Sequence, residues 1–158
     1  MEFTHQAYQP GETVAAIATP PGEGGVAMIR ISGSEAMEIA AKIFSGPLKK
    51  YQSHTAHFGY ILDQEGAKVD EVLILPMKAP RSFTGEDTVE IFCHGGSLIT
   101  KKVLEVVLKA GARAASPGEF TFKAFMNGKM DLAQAEAIQE LIMAKNERAL
   151  YSAENQLQ

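Results

Sequence analysis

The chain has 158 residues, 46% hydrophobic and 22% charged, an ordinary globular balance with enough apolar side chains to bury a core. A net charge of −4 and a pI near 5.6 make its surface a poor clamp for nucleic acid, because domains that hold RNA through its phosphates are usually basic. The single cysteine, Cys93, excludes an internal disulfide and suits a reducing compartment. Aliphatic runs such as Val72 to Leu75 are far short of the roughly 20 apolar residues of a membrane span.

Residues 1–12 are polar, contain Pro10 and Gly11, lack the features of a signal peptide, and read as a leader. Val14 to Ala18 is a short apolar strand candidate. Thr19 to Gly25, with two prolines and three glycines, must be a loop. Val26 to Ile31 follows as a second strand. Ser34 is placed to cap a helix over Glu35 to Phe44 with Met37, Ala40, Ala41 and Phe44 on one face, stopped by Gly46-Pro47. His57 to Leu62 and Val69 to Met77 read as a hairpin turning at Asp63 to Lys68, where Gly66 supplies positive φ. Ala79 to Asp87 is a loop and Thr88 to Cys93 an alternating strand. His94-Gly95-Gly96 then turns into a helix from Ser97 to Ala110 with a stripe of Leu98, Val103, Leu104, Val107 and Leu108. Gly111 ends it, Ala112 to Ala115 forms a last short strand, and Phe120 to Met126 forms one or two helical turns.

Asp131 and Gln134 make a capping-box pattern ahead of Leu132, Ala135, Ile138, Leu141, Ile142, Ala149 and Ala153, which recur near helical spacing. They predict a helix from Asp131 to about Leu157, roughly 39 Å long. Its apolar stripe needs a partner, so it is expected to enter a second, helical domain that is cut short. A terminal helix packed along its own domain or on a second copy is the alternative. The domains are thus a leader at 1–12, an α/β domain at 13–128, and the start of a helical domain at 129–158.

Gly22-Glu23-Gly24-Gly25 follows a strand, but no Gly-Lys-Ser/Thr comes after it and the next element is a strand. A tight turn is therefore expected there rather than a phosphate loop. Cys93 and His94 are adjacent strand residues that point to opposite faces, and no second cysteine exists for zinc; a buried thiol beside a turn histidine is expected. Ser82 to Asp87 is a dense polar loop leading to Glu90, which alternation puts on the face with Thr88 and Phe92. A carboxylate beside an aromatic ring suits a heterocycle with adjacent N–H donors. Arg30 sits in an apolar strand and needs an anion, either an internal partner, Glu90 or Asp87, or a ligand. Lys129, after Asn127-Gly128, is by itself an ordinary loop lysine.

Ala18 to Val26, Arg30 to Gly33, Ser82 to Asp87, Glu90, His94 to Gly96, Pro117 to Thr121, Ala124-Phe125, Asn127 to Lys129 and Asp131 to Ala137 follow one another in an order and spacing that resemble the MnmE/TrmE family of tRNA-modifying GTPases over nearly the whole chain. The resemblance implies an α+β fold: a mixed sheet with flanking helices, like the tetrahydrofolate-binding domain of glycine-cleavage T-protein relatives, followed by the first long helix of a helical domain. It also implies a cytoplasmic homodimer paired through this domain, and binding of 5-formyl- or 5,10-methylene-tetrahydrofolate at Arg30, Glu90 and Lys129. In the full family protein, a GTPase domain using magnesium and potassium is inserted in the helical domain. With the FAD protein MnmG, that protein installs an aminomethyl or carboxymethylaminomethyl group at C5 of the tRNA wobble uridine. The GTPase motifs and the family's Cys-Ile-Gly-Lys end do not occur in these residues, which are not expected to hydrolyse GTP. A stand-alone folate-dependent one-carbon transferase and a pure dimerisation module are the alternatives.

Overall fold

The computed structural model describes residues 9–20, 24–141 and 143–144. Its strands are β1 (Val14–Ile17), β2 (Val26–Ser32), β3 (His57–Leu62), β4 (Lys68–Met77), β5 (Thr88–His94) and β6 (Arg113–Ala114). They form one mixed sheet in the order β3-β4-β5-β2-β1-β6. Neighbours are antiparallel except β1 and β6. Since β1 and β5 are each antiparallel to β2, β6 runs in the direction of β5. That demands a crossover, and the helix α2 (Ser97–Lys109) supplies it. The β3–β4 hairpin turns where Asp63 Oδ1 accepts from the N–H groups of Glu65 and Ala67 at 3.0 and 2.9 Å, with Gly66 at φ 81°.

One face of the sheet carries the core. Ala27, Ile29 and Ile31 of β2, Val72 and Ile74 of β4, and Val89, Ile91 and Cys93 of β5 are buried beneath α2 and the helix α1 (Ala36–Ile43), which also touch each other. Burying each of the larger aliphatic side chains contributes about 1.5–3 kcal/mol. The helix faces differ from the sequence expectation in two places. α1 buries Ala36, Ile39, Ala40 and Ile43, with Met37 and Ala41 only partly covered. Phe44 is buried too, but it lies past the helix end in extended backbone and bridges to Ile61, so helical spacing does not aim it. Ser34 does not cap α1; Thr13 reaches in from the sheet, and its Oγ1 accepts the Glu35 N–H at 2.8 Å. On α2, Leu98 is 67% exposed while Thr100 is buried, its hydroxyl satisfied by donating to the Gly96 carbonyl at 2.8 Å.

The other face divides lengthwise. At one end Arg30 lies under Phe120, which belongs to the helix α3 (Glu119–Met126). At the other end Val26, Phe58 and Leu73 are exposed around Phe92. The capping box forms as expected: Asp131 N–H donates to Gln134 Oε1 at 2.9 Å, and Gln134 N–H donates to Asp131 Oδ1 at 2.7 Å. The helix it opens is present at 132–141 and 143–144; its extension toward Leu157 lies outside the described residues.

The turn between β5 and α2 abuts the end of the loop before β2. Gly95 N–H donates to the Gly25 carbonyl at 3.1 Å, and a Cβ on Gly95 would stand 1.5 Å from the Gly24 carbonyl oxygen. Gly95→Ala is therefore expected to force the two loops apart and to cost about 2 kcal/mol or more, measured as a lower denaturation midpoint with an unchanged slope.

Candidate functional site

Arg30 and Glu90 are directly opposed across the β2–β5 pair. The Arg30 guanidinium donates to Glu90 Oε2 from Nε at 3.1 Å, and its second terminal nitrogen lies 2.9 Å from the same oxygen. Of the two partners open to Arg30, the structure selects Glu90; Asp87 instead accepts the Ala79 N–H at 2.8 Å. The guanidinium also lies over two rings, 5.0 Å from the centroid of Phe83 and 5.2 Å from that of Phe120. Such stacking holds the cation in one plane. Glu90 Oε1 takes no partner among the described residues, so an ordered, half-buried carboxylate oxygen remains for a donor.

Phe83 belongs to the polar loop, which is tied down on two sides. Beneath it, buried hydroxyls join: Ser32 Oγ lies 2.7 Å from Thr84 Oγ1 and 3.0 Å from Thr88 Oγ1. Beside it stands Lys123 of α3, 1% exposed, a residue the sequence did not single out. Lys123 Nζ donates to both oxygens of Glu86 at 3.1 Å and to the Glu12 carbonyl at 2.7 Å. Asn127 Nδ2 donates to Glu86 Oε2 at 2.9 Å and to the Thr84 carbonyl at 3.0 Å. The available signal was a lysine among three phenylalanines, Phe120 to Phe125, where a buried charge needs a partner.

Lys129 follows on the far side of the loop. Its side chain lines a cleft of about 550 Å³ with Ser82, Phe83, Met130, Gln134, Ala137 and Ile138. Its ammonium has no partner among the described residues. The structure thus pairs Arg30 with Glu90 and sets Lys129 in a neighbouring cleft, with Phe83 as the wall common to both.

Cys93 and His94 diverge as alternation requires. The Cys93 thiol is buried and donates to the Ala27 carbonyl at 3.4 Å, while exposed His94 pairs its Nδ1 with Asp70 Oδ1 at 2.8 Å. Burial pushes the Cys93 thiol above its usual range, and Asp70 adds to the effect. No group of three or more potential metal-ligating side chains occurs among the described residues. Cys93 should therefore react with an aromatic disulfide reagent only as fast as the core opens. Absorbance after mixing checks this: slow release in buffer and immediate release in denaturant are expected.

The family described as "GTP-binding protein TrmE N-terminus" matches residues 13–129. The chain is 73% identical over 157 residues to the tRNA modification GTPase MnmE of Protochlamydia amoebophila, covering 99% of this chain and 34% of that protein. It is 56% identical over 147 residues to the protein of that name from Chlamydia felis, covering 93% of this chain and 33% of the other. It is 51% identical over 152 residues to the one from Bacillus subtilis, again covering 93% and 33%. The chain spans about a third of the length of the curated relatives it matches. On the matched segment and these identities, the chain belongs to the MnmE/TrmE family and corresponds to its N-terminal region.

Proposed function

We propose that this chain is the tetrahydrofolate-binding and self-pairing part of a cytoplasmic GTPase that, with MnmG, modifies C5 of the tRNA wobble uridine. Its sheet would then be a version of the tetrahydrofolate-binding fold of glycine-cleavage T-protein relatives. The observation that carries the folate role is the Arg30–Glu90 pair in contact with two rings, beside a cleft lined by Lys129, whose ammonium has no partner among the described residues. A pterin presents N–H donors on a flat ring. Glu90 Oε1 accepts one, and Oε2 is shared between Arg30 and a second donor when the carboxylate turns. The glutamate tail of 5-formyl- or 5,10-methylene-tetrahydrofolate is anionic. Arg30 is already neutralised by Glu90, which favours Lys129 for that tail. GTP, magnesium and potassium belong to the domain that these residues do not contain.

Self-pairing is supported by the bare end of the sheet, where Val26, Phe58 and Leu73 expose apolar surface around Phe92. Two-fold pairing of that patch with its copy is the simplest way to cover it. That Arg30 and Glu90 already neutralise each other also favours a second reading, a dimerisation module with no ligand.

Calorimetric titration with 5-formyltetrahydrofolate separates the two. Glu90→Gln should keep the fold and weaken folate binding by roughly ten- to a hundredfold, since it replaces an acceptor with a donor at a charge-assisted contact. If Arg30 and Glu90 only stabilise each other, Arg30→Ala and Glu90→Gln both lower the melting temperature and the native chain shows no binding heat. For the dimer, sedimentation at micromolar concentration should give about twice 17.0 kDa. Phe58→Asp should return a monomer; a Phe58→Asp protein that still sediments as a dimer moves the interface elsewhere.

A further inference from the structure

We infer that Lys123, acting through Glu86 and Asn127, is a positioning residue that fixes the separation of the two rings gripping Arg30. This rests on the folate role proposed above and adds to it what holds the site open in one shape. Phe83 rides on the loop and Phe120 on α3, so Arg30 keeps both ring contacts only while loop and helix hold one spacing. The buried hydroxyls of Ser32, Thr84 and Thr88 tie the loop to the sheet and reach no residue of α3. Bonds that cross from loop to helix include those of Lys123 with Glu86, and of Asn127, at the helix end, with Glu86 and Thr84. The same turn sets Lys129, whose stem would stand 3.1 Å from a Cβ on Gly85.

Stability does not account for the choice of a lysine. A charge buried to 1% exposure loses its hydration, and apolar side chains of equal volume generally serve a core at least as well. What the ammonium supplies is direction: three acceptors, on Glu12 and on both oxygens of Glu86, hold one nitrogen at one point. Glu86, thus held, is also the acceptor for Asn127 at the start of the turn to Lys129. One buried cation therefore sets the places of Phe83, Phe120 and Lys129 together.

The test uses Lys123→Met combined with Glu86→Gln, which keeps the volume and leaves no lone charge, and separately Asn127→Ala at an exposed position. Three quantities are read: the Arg30 Nε–H resonance, which ring currents displace; 5-formyltetrahydrofolate affinity; and melting temperature. In the double variant the resonance should move toward its position in Phe83→Leu, and affinity should fall about tenfold, with melting nearly unchanged. Asn127→Ala should produce the same changes in smaller measure, and it decides the matter if the double variant does not fold. An unmoved Arg30 resonance in a folded variant overturns the inference, as does a moved resonance with undiminished affinity. If the native chain binds no 5-formyltetrahydrofolate, the folate role falls, while the resonance still decides whether Lys123 positions the rings.

Discussion

Register between β2 and β5 is set by Ile29, Ile31, Val89 and Ile91, because side chains on a strand alternate and a slip of one residue would turn all four out of the core. The same register that buries those four leaves Arg30 and Glu90 directly opposed on the reverse face. The charge pair is thus a by-product of the hydrophobic pattern. No loop has to hold it, and its two side chains are fixed at the root by the most central hydrogen-bonded pair of strands in the sheet. A binding group carried this way is less free to drift than one carried on a loop.

Around that pair the polar interactions form three linked groups. Hydroxyls of Ser32, Thr84 and Thr88 satisfy one another; Lys123 meets Glu86; and Arg113, on the edge strand β6, joins Glu12 and Glu119 at 2.8 and 2.5 Å. Glu119, foremost, and Glu12 raise the proton affinity of Arg113, so this guanidinium stays charged at any pH the fold survives. Through Glu12, residues that look in sequence like the end of a polar leader become a structural part of α3's surroundings.

Much of this was legible in the sequence. Strands β2 to β5 stand within a residue of where alternation and turn chemistry put them, and the Asp131–Gln134 box forms as its spacing requires. Local pattern suffices there because the determining partners are close along the chain. It fails where the partner is remote. Thr13 accepts the Glu35 N–H ahead of α1 from 22 residues away, and Lys123 meets Glu86 and Glu12 across 37 and 111 residues. Nothing near Ser34 reveals that it leaves α1 without a side-chain cap, and periodicity alone cannot tell that Leu98 faces water while Thr100 closes its own hydrogen bond. Arg30 was recognisable as a cation that needs an anion; choosing Glu90 over Asp87 required the strand register.

The β3–β4 hairpin has a practical use. Its turn at Asp63 to Lys68 lies at the end of β4 away from Leu75, which is the residue opposite Glu90. Leu75 lies seven residue steps along the strand from Lys68, roughly 23 Å at the usual rise. Gly66 faces open space there, with no atom within 4 Å of where a side chain would begin. A fluorophore, a short epitope or an immobilisation handle inserted at that tip would leave the central strands and the Arg30 stack undisturbed, and so offers a way to observe this protein at work without touching its site.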